Sequence, residues 1–550
     1  MGLRPEVHQL LFEREETMDK NSISRKRFLE LVAATAGATV LAGCGSKRAG
    51  DSSASDSGDG TYADTITFSQ GSEPRGLDPA YVDDGESAKV MVQIYENILQ
   101  YETDNCSVVA GLCELPEVTD DGLTYTFKVK DGITFHDGTA CDADAIAQNI
   151  QRQLEPNRTD DMPYASFNFG SQDAGTGVES VEATDSSTLV IKLRAASTPF
   201  QANLAMCMSS PIVAPSAFET AMENPVGTGQ YKFVSWTKNS NIVLKRNEDY
   251  WNSEKAGKTE NIIFTFIAEA ASRVTALNNG EADIIDGIDE AVVDTVEQGG
   301  SKIFSMDGMN INYMAFNTQS ETFKDKAARK AFAKAVNVQE LVDSLYNGYA
   351  TVANSVMPTW MAEYDKDVKQ TEYDADAAKK ELADLGITSV KCITYSNPRP
   401  YNGKGGQVLA EAIQGYLKEV GVDVTIDTYD WTTYKTKVET EEYDICFYGW
   451  NGDNGDPDNF MNLLADESVS MNVARYRNDE YNALIAKGLQ TESGSDRDAI
   501  YLQCEELVAE EQPWLLISHS QNILGYSPKV SGFYFHPTAV TFLYDTVKEA

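Results

Sequence analysis

Residues 409–426, LAEAIQGYLKEVGVDVTI, contain a helix pattern followed directly by a strand pattern. The first part places apolar residues on one helical face, and Gly421 is expected to end the helix. The second part alternates apolar and polar residues, which is typical of a strand half buried in a sheet. The helical face is Leu409, Ala412, Ile413 and Val420, and the strand face is Val422, Val424 and Ile426.

The same two patterns recur on both sides of this stretch. Asp374 is a plausible N-cap for a helix that ends at Gly386, and another helix begins near Ser495. The first half of the chain is richer in strand patterns. Alternating apolar residues occur there at Tyr125, Phe127 and Val129 and at Leu189, Ile191 and Leu193. In the second half they occur at Tyr443, Ile445 and Phe447. Strands that alternate with helices predict an α/β protein with mixed sheets.

Composition limits the classes of function. The chain has 550 residues, 42% of them hydrophobic, so it can bury a large core and should form more than one lobe. Its 85 acidic against 45 basic residues give a net charge of −40, which argues against nucleic acid or an anionic lipid surface as the main partner. The eight cysteines are too dispersed for a disulfide scaffold, and none forms a C-x-x-C pair.

The N-terminal residues resemble an export signal. Arg25, Lys26 and Arg27 precede a short apolar stretch that ends in Leu41-Ala42-Gly43-Cys44, which resembles the bacterial lipobox. Residues 1–43 are therefore predicted to be a signal peptide, with Met18 as a possible true start. Cys44 is predicted to carry a lipid anchor, with a flexible tether at 44–60. The protein is expected to be extracytoplasmic and membrane-anchored; its export route, Sec or twin-arginine, stays open.

Several segments resemble the family of extracellular solute-binding proteins that serve peptide and nickel ABC importers (family 5). They occur in the expected order, from about Glu73 to the C-terminus. They are GLTYTF at 122–127, DGITFHDGT at 131–139, PVGTGQY at 225–231, RNEDYW at 246–251, FNT at 316–318 and YDADA at 373–377.

The resemblance implies a large, two-lobed periplasmic-binding-protein fold with an extra subdomain in lobe I. Lobe I is expected at 61–304 plus 520–550, with the inserted subdomain at about 110–225, and lobe II at 305–519. It also implies that the lobes close around a ligand, and that the closed protein, a monomer, is recognised by the membrane subunits of an ABC permease. No catalytic residue is implied.

Two segments are most similar to the dipeptide-binding branch of the family. In GWNGDNGDPDNF at 449–460, Asp453 matches the acid that holds the amino terminus of the peptide. In NPRPYN at 397–402, Arg399 matches the arginine that holds the carboxylate. A dipeptide is a zwitterion of fixed length, so an anion and a cation facing each other can bind both ends and reject longer chains.

The remaining candidate ligand contacts are aromatic residues and glycines. Tyr401, Trp431 and Trp450 match aromatic positions near the ligand, where broad faces tolerate varied side chains. Backbone groups near Gly71 and Gly452 could pair with the peptide bond, because glycine permits close approach.

Other ligands and one other class of function stay open at this point. The same fold could bind longer oligopeptides, haem or a nickel complex. The four histidines, His8, His136, His519 and His536, have no metal-ligand spacing, so no metal site and no cofactor are predicted. A secreted peptidase is the alternative class, but the chain contains no G-x-S-x-G or H-E-x-x-H motif. A sensing rather than a transport role also stays open.

Overall fold

The structure, a computed structural model, describes residues 62–466, 468 and 470–550. The predicted signal peptide, Cys44 and the tether lie outside the described residues. The α-helices of the described part are α1 (Gly85–Ile94), α2 (Ala143–Gln151), α3 (Ala165–Phe169), α4 (Phe200–Asn203), α5 (Ala270–Asn278), α6 (Glu290–Gln298), α7 (Lys326–Ala333), α8 (Val338–Tyr346), α9 (Ala375–Asp384), α10 (Gly406–Glu419), α11 (Trp431–Glu439), α12 (Asp458–Met461), α13 (Asp479–Gln490) and α14 (Ser495–Glu511).

Short 3-10 helices lie at Pro215–Ala217, Ser253–Lys255 and Asn462–Leu464. The strands of the described part are β1 (Thr65–Gln70), β2 (Leu99–Tyr101), β3 (Val108–Ala110), β4 (Glu117–Val118), β5 (Thr124–Lys128), β6 (Val178–Asp185), β7 (Thr188–Leu193), β8 (Tyr231–Thr237), β9 (Asn241–Arg246), β10 (Asn261–Phe266), β11 (Ile284–Ile285), β12 (Lys302–Asp307), β13 (Asn310–Phe316), β14 (Ala350–Val352), β15 (Ser389–Tyr395), β16 (Asp423–Tyr429), β17 (Ile445–Asn451), β18 (Trp514–Tyr526), β19 (Val530–Ser531), β20 (Tyr534–Phe535), β21 (Thr541–Phe542) and β22 (Val547–Lys548).

One long strand, β18, joins two groups of strands into a mixed sheet. The order along the sheet is β16-β15-β17-β13-β18-β11-β1-β10-β9-β8, and β12 and β14 also pair with β18. The first part of β18, from Trp514 to Ser518, pairs with β13, whereas Gln521 to Tyr526 pair with β12 and, at the end, with β11. The molecule therefore has two lobes, and the predicted fold class is confirmed. Between these two segments of β18, Ser518 to Ser520 pair with β14.

A separate four-stranded sheet lies between β3 and β8 in the sequence. Its order is β4-β5-β7-β6, and all of its pairings are antiparallel. Tyr125 and Phe127 of β5 point to the buried face, as their alternation predicts, and Leu189 and Ile191 of β7 lie opposite them. This sheet falls within the range expected for the inserted subdomain.

Each lobe has its own apolar core. All seven residues of β13 are buried, because this central strand lies between β17 and β18 and is covered on both faces. In the other lobe, Ile66 and Phe68 of β1 and Ile262 and Phe264 of β10 belong to a second buried cluster. None of the described helices is both long and apolar enough to cross a membrane.

Most helix and strand patterns read from the sequence agree with the structure. The Asp374 side chain caps α9 by accepting from the Ala377 N–H, and Gly386 follows the helix with φ +73°. Three strands are shorter than their patterns. β5 ends at Lys128, β16 begins at Asp423 and β17 begins at Ile445, which leaves Val129, Val422 and Tyr443 outside. Tyr443 is buried nonetheless, and its hydroxyl donates to the Val473 carbonyl at 2.6 Å.

Candidate ligand-binding site

Three parallel strands of the second lobe end at one edge of its sheet. β15 pairs in parallel with both β16 and β17, so the carboxyl ends of all three strands meet there. Arg399 follows β15, Trp431 begins the helix after β16, and Asp453 follows β17. This edge is where ligands bind in many α/β sheets.

Arg399 presents a cation at this edge. Its guanidinium carbon lies 4.0 Å from the ring centroid of Trp431, and its backbone is held in a tight turn by reciprocal hydrogen bonds with Asn402 at 3.0 and 2.8 Å. The buried Nε has no hydrogen-bond partner, and no carboxylate of the described residues pairs with the guanidinium. A positive charge is therefore available to an anionic ligand group.

The indole that supports Arg399 is itself held in place by aromatic packing. Trp431 contacts Tyr395, Tyr434 and Tyr448 with ring centroids 5.5, 5.8 and 5.4 Å away. The preceding Asp430 caps α11 by accepting from two N–H groups of the first turn. Contact with this fixed ring limits the positions that the guanidinium can adopt.

Asp453 presents an anion at the same edge. Its Oδ1 accepts from the Tyr164 hydroxyl at 2.8 Å, and its Oδ2 accepts from the Asn459 side-chain amide at 3.2 Å. Burial raises the pKa of Asp453, and these two hydrogen bonds act in the opposite direction. No lysine, arginine or histidine of the described residues forms an ion pair with Asp453. The carboxylate thus lacks a counter-ion.

The loop that carries Asp453 is fixed by contacts with α14. Arg497 of α14 makes two hydrogen bonds to the Asp456 carboxylate, at 2.9 and 2.7 Å, and both side chains are buried. Gly455 adopts φ +66°, and a Cβ there would lie 2.2 Å from the Cβ of Cys106. A side chain at this position is disfavoured by the left-handed backbone conformation and would also collide with Cys106.

Trp450 and Gly452 lie beside this loop, and the N–H donors of both are already used within the protein. The Trp450 indole N–H donates to the Asn459 side-chain oxygen at 2.9 Å, and the ring stays half-buried. The Gly452 N–H donates to the Met309 carbonyl at 2.7 Å. Only the carbonyl of Gly452 is left for a ligand, because its donor is already used inside the protein.

Tyr401 and Gly71 lie less directly at the site. Tyr401 is 4% exposed, and a Cβ on Gly449 would lie 2.3 Å from its ring, so Tyr401 packs beneath β17. Gly71 follows β1 in the other lobe, half-buried next to the guanidinium of Arg273. The structure thus places Arg399, Trp431, Trp450, Gly452 and Asp453 along one edge, Tyr401 below it, and Gly71 on the other lobe.

Three residues that shape the site were missed by sequence reasoning. Asn459 lies within the GWNGDNGDPDNF segment but gives no signal of its own, and it contacts both Asp453 and Trp450. Tyr164 and Arg497 are distant in sequence from Asp453 and Asp456. No local pattern could have revealed these pairs, because only the tertiary fold joins them.

The histidines and acids of the described residues do not form a metal site. No group of three or more His, Cys, Asp or Glu residues in that part of the chain could hold a metal ion. His136 and His519 are turned toward the backbone carbonyls of Gly229 and Asn310, at 2.9 and 2.6 Å.

A cavity of about 120 Å³ is lined in part by Tyr101, whose hydroxyl donates to the Asn454 carbonyl at 3.0 Å, next to Asp453. Glu96, Trp251 and Tyr250 are among its lining residues, which include none of the predicted site residues. The Glu96 carboxylate accepts from Thr228, Tyr250 and Trp251 at 2.7 to 2.9 Å. These three donors satisfy that carboxylate.

Comparison with known proteins finds relatives that match this chain over most of its length. The haem-binding protein A of Haemophilus influenzae is 29% identical and covers 93% of this chain and 97% of its own. The dipeptide-binding protein of Pseudomonas aeruginosa is 27% identical over 88% of this chain and 95% of its own. The solved structure of HbpA2 from Haemophilus parasuis matches with a TM-score of 0.80 and 25% identity, covering 88% of this chain and 100% of that one.

The family model "Bacterial extracellular solute-binding proteins, family 5 Middle" matches residues 107–472. This range contains Arg399, Trp431 and Asp453 and extends over both lobes. The chain belongs to the bacterial extracellular solute-binding proteins of family 5.

Proposed function

We propose that this protein is the substrate-binding component of an ABC importer and that it captures a dipeptide or short peptide between Asp453 and Arg399. The observation that carries the proposal is the pair of unpaired opposite charges along one sheet edge. A half-buried ion without a counter-ion is unfavourable unless a ligand supplies one. A zwitterionic peptide supplies both.

Each charged group suits one end of such a ligand. The planar guanidinium of Arg399 can donate two parallel hydrogen bonds to a carboxylate. The Asp453 carboxylate only accepts, and two of its roughly four lone-pair positions remain for an ammonium after Tyr164 and Asn459 have donated. The Gly452 carbonyl and the rings of Trp431 and Trp450 are the proposed contacts between the two ends.

The names of relatives favour this ligand without restricting it to one kind. Relatives include dipeptide-binding proteins as well as a haem-binding protein, and similar solved structures include one with the peptide STSA and one with a nickel–histidine complex. The chemistry at the sheet edge favours a ligand that carries one carboxylate and one ammonium. We also propose that the protein catalyses nothing, acts as a monomer and is anchored outside the cell membrane through Cys44.

Two substitutions test the peptide assignment. Arg399→Ala leaves the ligand carboxylate without its partner, so it should weaken dipeptide binding by about 2 to 5 kcal/mol. Asp453→Ala should weaken binding of free dipeptides and abolish the disadvantage of N-acetylated ones. Titration calorimetry with a free and an N-acetylated dipeptide measures both effects. Wild-type affinity in both variants would refute the proposal.

A second measurement identifies the ligand directly. Mass spectrometry of small molecules released from the purified, denatured protein should find short peptides. Finding haem or a nickel complex at one equivalent would instead assign the site to that ligand. Uptake of a radiolabelled dipeptide by cells lacking the protein distinguishes import from sensing.

A further inference from the structure

A tyrosine from the first lobe reaches the anionic end of the candidate site. Tyr164 immediately precedes α3, between β5 and β6 of the four-stranded sheet, whereas Asp453 follows β17 of the mixed sheet. The two residues are 289 positions apart, yet the Tyr164 hydroxyl donates to Asp453 Oδ1 at 2.8 Å.

We propose that Tyr164 is a positioning residue for the ammonium end of the ligand: its hydroxyl orients the Asp453 carboxylate, keeps it anionic and so selects ligands with a free amino terminus. This inference rests on the proposed function, because it assigns a role within the same site. It adds that recognition of the ammonium depends on both lobes.

The geometry of the carboxylate supports this role. Tyr164 occupies one position on Oδ1 and Asn459 one position on Oδ2, so the rotation of the carboxylate is fixed from both sides. The remaining lone pairs can accept from an ammonium, which carries three N–H donors. A neutral N-acetylated terminus lacks those donors and the charge.

The tyrosine stays a donor under all ordinary conditions. Burial and the neighbouring Asp453 raise the pKa of Tyr164 well above its usual value, so the hydroxyl keeps its proton. Asp83 also raises the pKa of Tyr164. Among the described residues, burial and, to a smaller extent, Asp453 raise the pKa of Tyr101 and of Cys207, so both stay neutral. Asp456, on the same loop, is paired with Arg497. None of these groups can replace the ligand's positive charge.

The segment that carries Tyr164 has other attachments to the Asp453 loop. Asn203 accepts from the Asn454 amide at 2.7 Å and donates to the Phe167 carbonyl at 3.3 Å. The Phe167 ring packs edge-on against Tyr164 with centroids 6.2 Å apart. Because these contacts do not use the hydroxyl, Tyr164→Phe should remove one hydrogen bond and leave the segment in place.

The test compares Tyr164→Phe with the wild-type protein at several pH values, using calorimetry with a free and an N-acetylated dipeptide. Affinity for the free dipeptide should fall on the order of ten-fold at pH 7, because a hydrogen bond to a charged group is lost. Affinity for the acetylated dipeptide should not change. As the pH falls, the variant should lose binding at a higher pH than wild type, since Asp453 becomes easier to protonate.

Two controls separate this role from a structural one. Tyr125→Phe removes a hydroxyl that donates to the Ser197 carbonyl within the same lobe, away from Asp453, and should bind both peptides as wild type does. In the Asp453→Ala background, Tyr164→Phe should have no further effect. An equal loss for both peptides, or tighter binding because the hydroxyl competes with the ammonium, would overturn the inference.

The outcomes also distinguish this inference from the proposed function. If Asp453→Ala binds dipeptides normally, the proposed function fails whatever Tyr164 does. If Asp453→Ala loses binding while Tyr164→Phe keeps wild-type affinity and pH dependence, the proposed function stands and only the role of Tyr164 is wrong.

Discussion

At the scale of single residues, the site depends on charges that the protein leaves unpaired. Arg399 relies on an aromatic face rather than on a carboxylate for its position, which preserves its charge for a ligand. Besides its proposed contact with the ligand, Trp431 is thus expected to act through Arg399. In the sequence, the two residues could be matched to family positions, but their stacking could not be seen.

Replacing Trp431 tests this dependence. Trp431→Ala removes the cation–π contact, which is worth about 0.5 to 2 kcal/mol, so dipeptide affinity should fall about 2- to 30-fold. Trp431→Phe keeps an aromatic face and should lose less. Calorimetric titration of both variants measures the difference. Equal losses in the two variants would show that an aromatic face by itself does not support the guanidinium.

At the scale of elements, the loop that carries Asp453 depends on α14. The two hydrogen bonds from Arg497 to Asp456 neutralise a buried carboxylate and fix the turn just after Asp453. The same guanidinium also donates to the Gly488 carbonyl through its Nε at 2.8 Å. The helix and the loop therefore behave as one unit.

Breaking this pair should be costly. Arg497→Met leaves the Asp456 carboxylate buried and unpaired, so the free energy of unfolding should fall by about 3 to 5 kcal/mol. The double variant Arg497→Met with Asp456→Asn should recover part of that loss, since the uncompensated charge is removed. Urea unfolding followed by circular dichroism gives both values. A single variant as stable as wild type would contradict a structural role for the pair.

At the scale of the whole molecule, buried carboxyl groups and buried histidines change the pH dependence of stability in opposite directions. Burial raises the pKa of Glu505 and Glu363 to about 7. Their contribution to stability is present below the unfolded pKa near 4.5 and is lost as the pH rises toward 7. Burial lowers the pKa of His136 and His536 to about 4, so their contribution is present above pH 6.5 and lost as the pH falls.

Removing one of these groups should change how the free energy of unfolding depends on pH. In the wild type, ionisation of the buried Glu505 carboxyl lowers stability between pH 5 and pH 7. Glu505→Gln cannot ionise, so this decrease is absent from the variant. The free energy of unfolding at pH 7 minus that at pH 5 should therefore become about 2 kcal/mol more positive than in wild type. Chemical unfolding at the two pH values measures this difference. An unchanged difference would show that Glu505 does not titrate in this range.

Much of the architecture follows from the sequence alone, because local periodicity and end signals act within a few residues. The alternation of Tyr125 and Phe127, the N-cap at Asp374 and the stop at Gly421 needed no distant partner. The family landmarks also placed Arg399 and Asp453 as the two candidate charges. That both follow parallel strands ending at one sheet edge required the pairing of β15 with β17.

The tertiary structure alone decided which groups surround those charges. Tyr164 and Arg497 reach the Asp453 loop from elements far away in sequence, and Tyr401 turns out to pack beneath β17. The physical reason is that hydrogen bonds and burial depend on distance in space. Periodicity identifies which face of an element is buried, but it carries no information on which element covers that face.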